Sequence, residues 1–266
     1  MILSDNARIR LRRRLGLPVR PPRNWTTGAP DFVGVGAQRS GTSWWFRQVT
    51  SHPDIAVPWG KERHYFESFW QQEFTDADAV GYRRLFPRQP GVLTGEWTPR
   101  YMYDPWTPPL LKRCAPEAKI MIILRDPWER FLSGMAHEGR VLERRLRRAN
   151  ADYLQLMIRG DALRRSLYAG QLDRVLTCFE RSQVLVLQYE RCVREPEAEL
   201  ERTFTFLGLE VPAGSMIEQR AGAGRGREHS LPAAAADEMR ATLAADAERL
   251  VRIAPEIDLE LWPSCR

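Results

Sequence analysis

Short apolar runs alternate along this chain with longer amphipathic stretches. Apolar runs predict buried strands at residues 32–35, 92–98, 118–124 and 183–187, with a shorter strand at 55–57. Amphipathic stretches predict helices at 44–50, from 127 onward, from about 166 to 179, at 196–207 and at 233–253. The run AKIMIIL at 118–124 is typical of a central parallel strand that is covered on both faces. The alternation of strands and helices predicts an α/β fold, with a central parallel sheet flanked by helices.

The first predicted strand leads into a glycine-bearing turn at 36–43 and then into a helix that must end before Pro53. Glycines let the backbone approach a ligand closely, and successive N–H groups then converge on it. The N-terminus of the helix adds a partial positive charge. This strand–loop–helix unit therefore predicts a phosphate-binding cradle like that of P-loop folds.

The spacing within the turn differs from that of a nucleotide kinase. The P-loop pattern G-x4-G-K-[ST] is matched at Gly36 and Gly41, but Thr42 stands at the lysine position. The cation lies earlier, at Arg39, which suits a single 5′-phosphate and its substituent. The turn resembles the 5′-phosphosulfate loop, roughly [KR]-x-G-T-[ST], of sulfotransferases that use 3′-phosphoadenosine 5′-phosphosulfate (PAPS). The resemblance implies a catalytic role for Arg39 and donor contacts from Gln38, Arg39, Ser40, Gly41, Thr42 and Ser43.

A second stretch, KERHYF at 61–66, follows the short predicted strand. Alone it is typical of a solvated loop, but beside the phosphate loop it resembles the Lys-Glu-x-His-[YF]-[YF] segment of sulfotransferases that act on glycosaminoglycans and related sugars. In that group the glutamate is the general base. The resemblance implies that Glu62 takes the proton of the acceptor hydroxyl and that Lys61 helps to hold the sulfuryl group. His64 is the rival base, because an unperturbed imidazole titrates near neutral pH.

The stretch GEWTPRY at 95–101 is similar to the pattern Glu-[Lys]-[ST]-Pro-x-Tyr of the same group, with one departure. Trp97 stands where many members carry a lysine near the reacting sulfate. The contribution of that lysine must be missing here or come from another residue. Trp97, together with Trp59 and Trp106, is also a candidate for stacking on the ring of an acceptor.

A 3′-phosphate site is indicated at the end of the strand at 118–124, where Arg125 is followed eight residues later by Ser133. PAPS carries a 3′-phosphate that ATP lacks, so its recognition needs a bidentate cation and a hydroxyl donor. Arg125 and Ser133 resemble the 3′-phosphate clamp of the family.

Two further stretches resemble parts of the same family's donor site. The glycine-rich AGAGRGREHSL at 221–231 resembles the stretch that closes over the 3′-phosphate, which implies contacts from Arg225, Gly226 and Arg227. Tyr168 lies near the place where the family has donor or acceptor contacts. A predicted helix also places the arginines at 140, 144, 147 and 148 on one face. The favoured interpretation is a solvated face, and the alternative is a docking face for an anionic acceptor.

Composition narrows the class of protein. The 266 residues are 43% apolar and 28% charged, which is ordinary for a globular protein, and no run of 18 apolar residues predicts a membrane span. The basic N-terminal stretch lacks the apolar core of a secretory signal. The four cysteines lack the spacing of a metal or disulfide framework. We therefore expect a cytoplasmic protein with free thiols. The net charge is +6, and the strong bias of the basic residues toward arginine is typical of a GC-rich coding sequence, which favours a bacterial origin.

Together these features predict a basic arm at 1–28 and one sulfotransferase domain at 29–266. The predicted reaction is PAPS-dependent transfer of a sulfuryl group to a hydroxyl of a carbohydrate or of a hydroxylated or glycosylated natural product. No metal, nucleic acid or stable membrane insertion is expected, and the sequence does not set the oligomeric state. The alternatives are a P-loop-like nucleotide kinase and a non-enzymatic module that binds an anionic polymer.

Overall fold

A computed structural model gives the fold of residues 25–57, 60–145, 160–212 and 232–265, without the side chains of 139–145. The side chains of the predicted basic face and the predicted loop at 221–231 lie outside the described residues, as do most of the predicted arm and Trp59.

Four parallel strands form the central sheet. Within the described residues the strands are β1 (Thr26–Thr27), β2 (Phe32–Gly36), β3 (Pro87–Arg88), β4 (Gly95–Trp97), β5 (Lys119–Leu124) and β6 (Val184–Gln188). The order across the sheet is β4–β2–β5–β6, and Val33 of β2 pairs with Glu96 on one side and Ile120 on the other. The predicted parallel α/β sheet is confirmed. From β2 the chain continues to β4 on one side, whereas from β5 it continues to β6 on the other side, so the strand order reverses between β2 and β5. The loop after β2 lies at this switch point, where α/β folds bind ligands.

Both faces of the sheet are covered by apolar side chains. Ile120 and Ile122 of β5 contribute to one core, while Met121 and Ile123 contribute to the other. Because side chains alternate between the faces of a strand, a strand buried on both faces must be apolar at nearly every position. This burial explains why the run at 118–124 predicts β5 to within one residue.

The helices pack around the sheet. They are α1 (Thr42–Val49), α2 (Asp76–Arg83), α3 (Thr107–Cys114), α4 (Pro127–Arg145), α5 (Ala169–Leu176), α6 (Tyr189–Arg194), α7 (Pro196–Leu207) and α8 (Ala233–Ile253), and residues 160–166 are also helical. Gly208 ends α7 in a left-handed conformation with φ 77°, which glycine adopts without strain. Within the described ranges, no helix is both long and apolar enough to cross a bilayer.

Two predicted strands differ from the structure. The run at 55–57 forms only an isolated parallel bridge, between Ile55 and Leu93, so the predicted strand there is wrong. The predicted strand at 92–98 is shorter than expected, because only Gly95–Trp97 pairs continuously with β2. A small antiparallel pair joins Thr26–Thr27 to Pro87–Arg88, so the last residues of the predicted arm lie against the domain. The predicted division at residue 28 stays a prediction.

Candidate active site

The loop between β2 and α1 has the backbone of an anion-binding turn. Arg39 has φ 71°, and Gly41, the N-cap of α1, has φ 83°. A Cβ atom at Gly41 would lie 2.7 Å from the ring of Tyr189, so this position needs glycine for space as well as for conformation. The first N–H groups of a helix have no acceptor within the helix. The Trp44 N–H donates to the Gly41 carbonyl (3.0 Å). Gly41 has no side chain to cap the two N–H groups before Trp44, so those of Thr42 and Ser43 are the ones offered to a ligand.

A buried arginine fixes the other side of this loop. Arg130 of α4 is 1% exposed, and its Nε donates to the Gln38 carbonyl (3.0 Å). Its Nη1 donates to the Ala162 carbonyl (2.6 Å) and to Ser166 Oγ (3.2 Å). Burial lowers the pKa of Arg130 to about 10, so the guanidinium is still charged at neutral pH. Arg130 therefore joins α4 to the phosphate loop and to the helical segment 160–166.

Lys61 supplies a cation at the head of α1. Its Nζ donates to Thr42 Oγ1 (3.3 Å) and to Ser43 Oγ (3.1 Å), and it also contacts Glu62 Oε1. Burial lowers the pKa of Lys61, and the nearby Glu62 carboxylate partly opposes that shift. The P-loop pattern has a lysine where this chain has Thr42. Lys61, from a later segment of the chain, brings an ammonium group to the loop in its place.

His64 lies between two glutamates, Glu62 of the same stretch and Glu67 just after it. Glu62 Oε2 lies 3.2 Å from His64 Nε2, and Glu67 Oε1 lies 2.5 Å from His64 Nδ1. Both Glu62 (φ 65°) and His64 (φ 53°) adopt the left-handed region that most residues avoid. Such strain persists only where surrounding contacts impose it, and it is often found at functional sites.

A buried carboxylate imposes this conformation. Glu96 of β4 is fully buried and accepts a hydrogen bond from the backbone N–H of Arg63 (3.1 Å), the residue between the two strained ones. It also accepts from Tyr82 Oη (2.8 Å) and Thr98 Oγ1 (2.5 Å). Burial raises the pKa of Glu96, and these hydrogen bonds oppose the shift. Thr98 Oγ1 also accepts from the Arg63 N–H (2.9 Å), so Glu96 and Thr98 together position the turn that carries Glu62 and His64.

Trp97 occupies the core instead of the site. It is fully buried, and its Nε1 donates to the Gly36 carbonyl (3.1 Å). A Cβ at Gly34 would lie 1.9 Å from the indole, so glycine at that position makes room for it. The expectation that Trp97 stacks on an acceptor is wrong, because its ring is covered by the protein. Trp106 is half-buried, and its Nε1 donates to the Phe66 carbonyl (3.0 Å).

The predicted 3′-phosphate residues lie beside the phosphate loop. Ser133 Oγ accepts a hydrogen bond from Arg39 Nε (3.2 Å), which joins α4 to the loop. The guanidinium of Arg125 pairs with Glu129 (3.0 Å) and lies 5.5 Å from the centre of the Tyr189 ring. Tyr168 is fully buried behind Arg125, and its hydroxyl donates to the Arg125 carbonyl (3.0 Å).

The structure thus brings three predicted stretches to one edge of the sheet: the loop from Gln38 to Ser43, the turn from Lys61 to His64, and the Arg125–Ser133 pair. Arg225, Gly226 and Arg227 lie outside the described residues. Sequence reasoning missed Arg130, which follows no recognisable spacing. It included Glu96 in a family-like pattern but assigned it no role. Among the described residues, no group of three His, Cys, Asp or Glu side chains is arranged to hold a metal, and the expectation of metal-free chemistry stays a prediction.

Known proteins of similar sequence are sulfotransferases. Human heparan sulfate glucosamine 3-O-sulfotransferase 6 is 30% identical over 190 residues, which cover 68% of this chain and 52% of that protein. Human heparan sulfate glucosamine 3-O-sulfotransferase 3B1 is 28% identical over 189 residues, which cover 68% of this chain and 46% of that protein. The chain therefore spans about half the length of these curated relatives.

Solved structures share the fold. A sulfotransferase from Alicyclobacillus acidocaldarius superposes with a TM-score of 0.66 and 28% identity, covering 88% of this chain and 98% of that one. The sulfotransferase domain of the curacin biosynthetic pathway superposes with a TM-score of 0.54 at 13% identity, over 86% of this chain and 99% of that one. Residues 29–222 also match the sulfotransferase domain family. The chain belongs to the sulfotransferase domain family.

Proposed function

We propose that this protein transfers a sulfuryl group from PAPS to a hydroxyl of a carbohydrate or of a hydroxylated or glycosylated natural product. The products are a sulfate ester and adenosine 3′,5′-bisphosphate. The observation that carries the proposal is the contact of Lys61 with both the phosphate loop, at Thr42 and Ser43, and the candidate base Glu62. This contact joins a donor cradle to a proton acceptor.

The residues on the donor side suit PAPS. The N–H groups at the head of α1 and Arg39 favour the 5′-phosphosulfate, and Arg125 and Ser133 favour the 3′-phosphate. A guanidinium that pairs with an exposed carboxylate, as Arg125 does with Glu129, can exchange that partner for a phosphate. The loop at 225–227 is proposed to add to this clamp.

The proposed chemistry needs one proton transfer and stabilisation of charge. The donor supplies the sulfuryl group, and its S–O bond to the 5′-phosphate breaks as the acceptor oxygen bonds to sulfur. Glu62 accepts the acceptor's proton, and His64 orients the Glu62 carboxylate from its other side. Lys61 and Arg39 neutralise the charge that builds on the leaving phosphate. His64 is the alternative base.

A carbohydrate acceptor is supported by the relatives, which are named for sulfation of heparan sulfate glucosamine. A cytoplasmic location and a bacterial origin belong to the proposal as well, on the sequence features given above.

The proposal is tested by incubating the protein with PAPS and three acceptor classes: heparan-type oligosaccharides, neutral oligosaccharides and hydroxylated aromatic glycosides. Mass spectrometry then reports the gain of a sulfuryl group. We expect one class to be sulfated, and we expect Glu62→Gln to lower the rate about 10²- to 10⁴-fold, the usual contribution of a general base. His64→Ala should have a smaller effect.

Glu238→Gln, an exposed change on α8, is the control and should keep the wild-type rate. If His64→Ala is the more damaging change, His64 is the base. Transfer of phosphate from Mg-ATP in place of sulfate from PAPS would contradict the proposal.

A further inference from the structure

The segment after α8, residues 254–265 (the tail), returns to the carboxyl edge of the sheet. Gln188, the last residue of β6, exchanges two hydrogen bonds with the backbone of Asp258: its Nε2 donates to the Asp258 carbonyl (2.8 Å), and its Oε1 accepts from the Asp258 N–H (3.0 Å). Trp262 is fully buried in the main core. The tail is therefore an ordered part of the domain on the side where the candidate donor site lies.

The tail contacts the residue that follows Arg125. Ser264 Oγ donates to Asp126 Oδ1 (2.5 Å), and the Ser264 N–H donates to Asp126 Oδ2 (3.2 Å). Asp126 Oδ1 also accepts from the N–H groups of Trp128 (2.9 Å) and Glu129 (3.1 Å), in the first turn of α4. Asp126 is 3% exposed, so Ser264 completes the hydrogen bonding of a buried carboxylate at the start of this helix.

The peptide group between Arg125 and Asp126 is held by two side chains that meet the tail. Its carbonyl accepts from Tyr168, whose ring lies 6.1 Å from that of Trp262. The next N–H, of Asp126, donates to Glu190 Oε1 (2.9 Å), and Glu190 Oε2 accepts from Trp262 Nε1 (2.8 Å). Trp262 therefore touches both side chains that fix the peptide group following Arg125.

We infer that the tail is a positioning element of the 3′-phosphate site, in which Trp262 and Ser264 hold Arg125 in the orientation that recognises a 3′-phosphate. This inference rests on the proposed function for the identity of the ligand. Neither residue needs to touch the donor, because each acts through the backbone of the Arg125 turn. A shift of that turn moves a bidentate contact, whose strength depends on geometry, while the 5′-phosphate loop has its own contact with Arg130, one turn further along α4.

The test is calorimetric titration with adenosine 3′,5′-bisphosphate and with 5′-AMP, and the readout is the ratio of the two dissociation constants. We expect Ser264→Ala and Trp262→Phe to reduce the preference for the bisphosphate by about fivefold or more, with 5′-AMP affinity unchanged. Ser264→Thr keeps the hydroxyl and should retain the preference. Glu256→Gln removes the tail's contact with Arg181, away from Arg125, and is the matched control.

Thermal unfolding shows whether each variant is folded. An unchanged ratio in both Ser264→Ala and Trp262→Phe overturns the inference. An equal loss of affinity for both nucleotides also overturns it, because the tail would then stabilise the domain in general and not the 3′-phosphate site in particular. If wild-type protein itself shows no preference for the bisphosphate, the proposed function fails before the tail is considered.

Discussion

Among individual residues, Lys61 is the one on which the proposed reaction depends most. Its ammonium lies between the hydroxyls of Thr42 and Ser43 and the carboxylate of Glu62. Trp97, at the position where the resemblance implies a lysine, is buried in the core. The proposed reaction therefore relies on Lys61, which contacts Thr42 and Ser43, and on Arg39 of the loop itself. The charge on Lys61 must then be retained for the reaction to proceed.

The rate of sulfuryl transfer should therefore fall at alkaline pH. Because burial lowers the pKa of Lys61, its proton is lost as pH rises through a value below the ordinary 10.5. In Lys61→Arg the guanidinium stays protonated through this range, so the alkaline fall should move to higher pH or disappear. The measurement is a pH–rate profile, with each protein normalised to its own maximum. An identical alkaline fall in wild type and Lys61→Arg would assign it to another group.

At the scale of elements, β4 acts on the site without contributing a side chain to its surface. Its residue Glu96 accepts the N–H of Arg63 and so fixes a turn in which two residues have positive φ. Tyr82 of α2 and Thr98 complete the hydrogen bonding of this carboxyl. Burying the charged form of the Glu96 carboxyl costs folding free energy, and the size of that cost depends on pH.

Glu96 should make a measurable contribution to the pH dependence of stability. Its pKa is raised above the ordinary 4.5, so the native state binds its proton more tightly than the unfolded state does. Its contribution is therefore fully present below 4.5 and is lost as pH rises through the native pKa. Glu96→Gln lacks this titration, so the free energy of unfolding of the variant relative to wild type should rise with pH across that window.

Urea unfolding at a series of pH values measures this difference, and Glu238→Gln controls for removal of a carboxyl at an exposed position. A difference between Glu96→Gln and wild type that is independent of pH would show that Glu96 does not titrate in this window.

Local sequence patterns predict elements well where nearly a whole strand is buried, as in β5, or where one face of a helix is buried, as in α7 and α8. The helices at 196–207 and 233–253 match α7 and α8, and β5 matches its apolar run within one residue. The strand predicted at 55–57 fails because a short apolar run is buried equally well as a loop. The contacts of Lys61 with Thr42 and of Ser264 with Asp126 could not be predicted, because they join loops that no periodicity relates.

At the scale of the whole molecule, the parallel sheet gathers these loops at one edge. Turns that follow β2, β5 and β6 supply the phosphate loop, Arg125 and Glu190, and the tail crosses to the same edge. The central claim is that this edge recognises a nucleotide with both a 5′- and a 3′-phosphate. The 3′-phosphate is the group that separates PAPS from ATP, so it is also the group that separates the proposed function from a nucleotide kinase.

The most direct measurement is calorimetric titration of wild type and Arg125→Ala with adenosine 3′,5′-bisphosphate, 5′-AMP and Mg-ATP. Arg194→Ala, which removes an exposed arginine of α6 from its pair with Glu195, controls for the loss of one positive charge. We predict that wild type binds the bisphosphate about tenfold or more tightly than the other two, as expected for charge-assisted hydrogen bonds. Arg125→Ala should lose that preference and keep its affinity for 5′-AMP, while Arg194→Ala should keep both. Wild-type protein that binds the bisphosphate no better than 5′-AMP would contradict the assignment of the donor site.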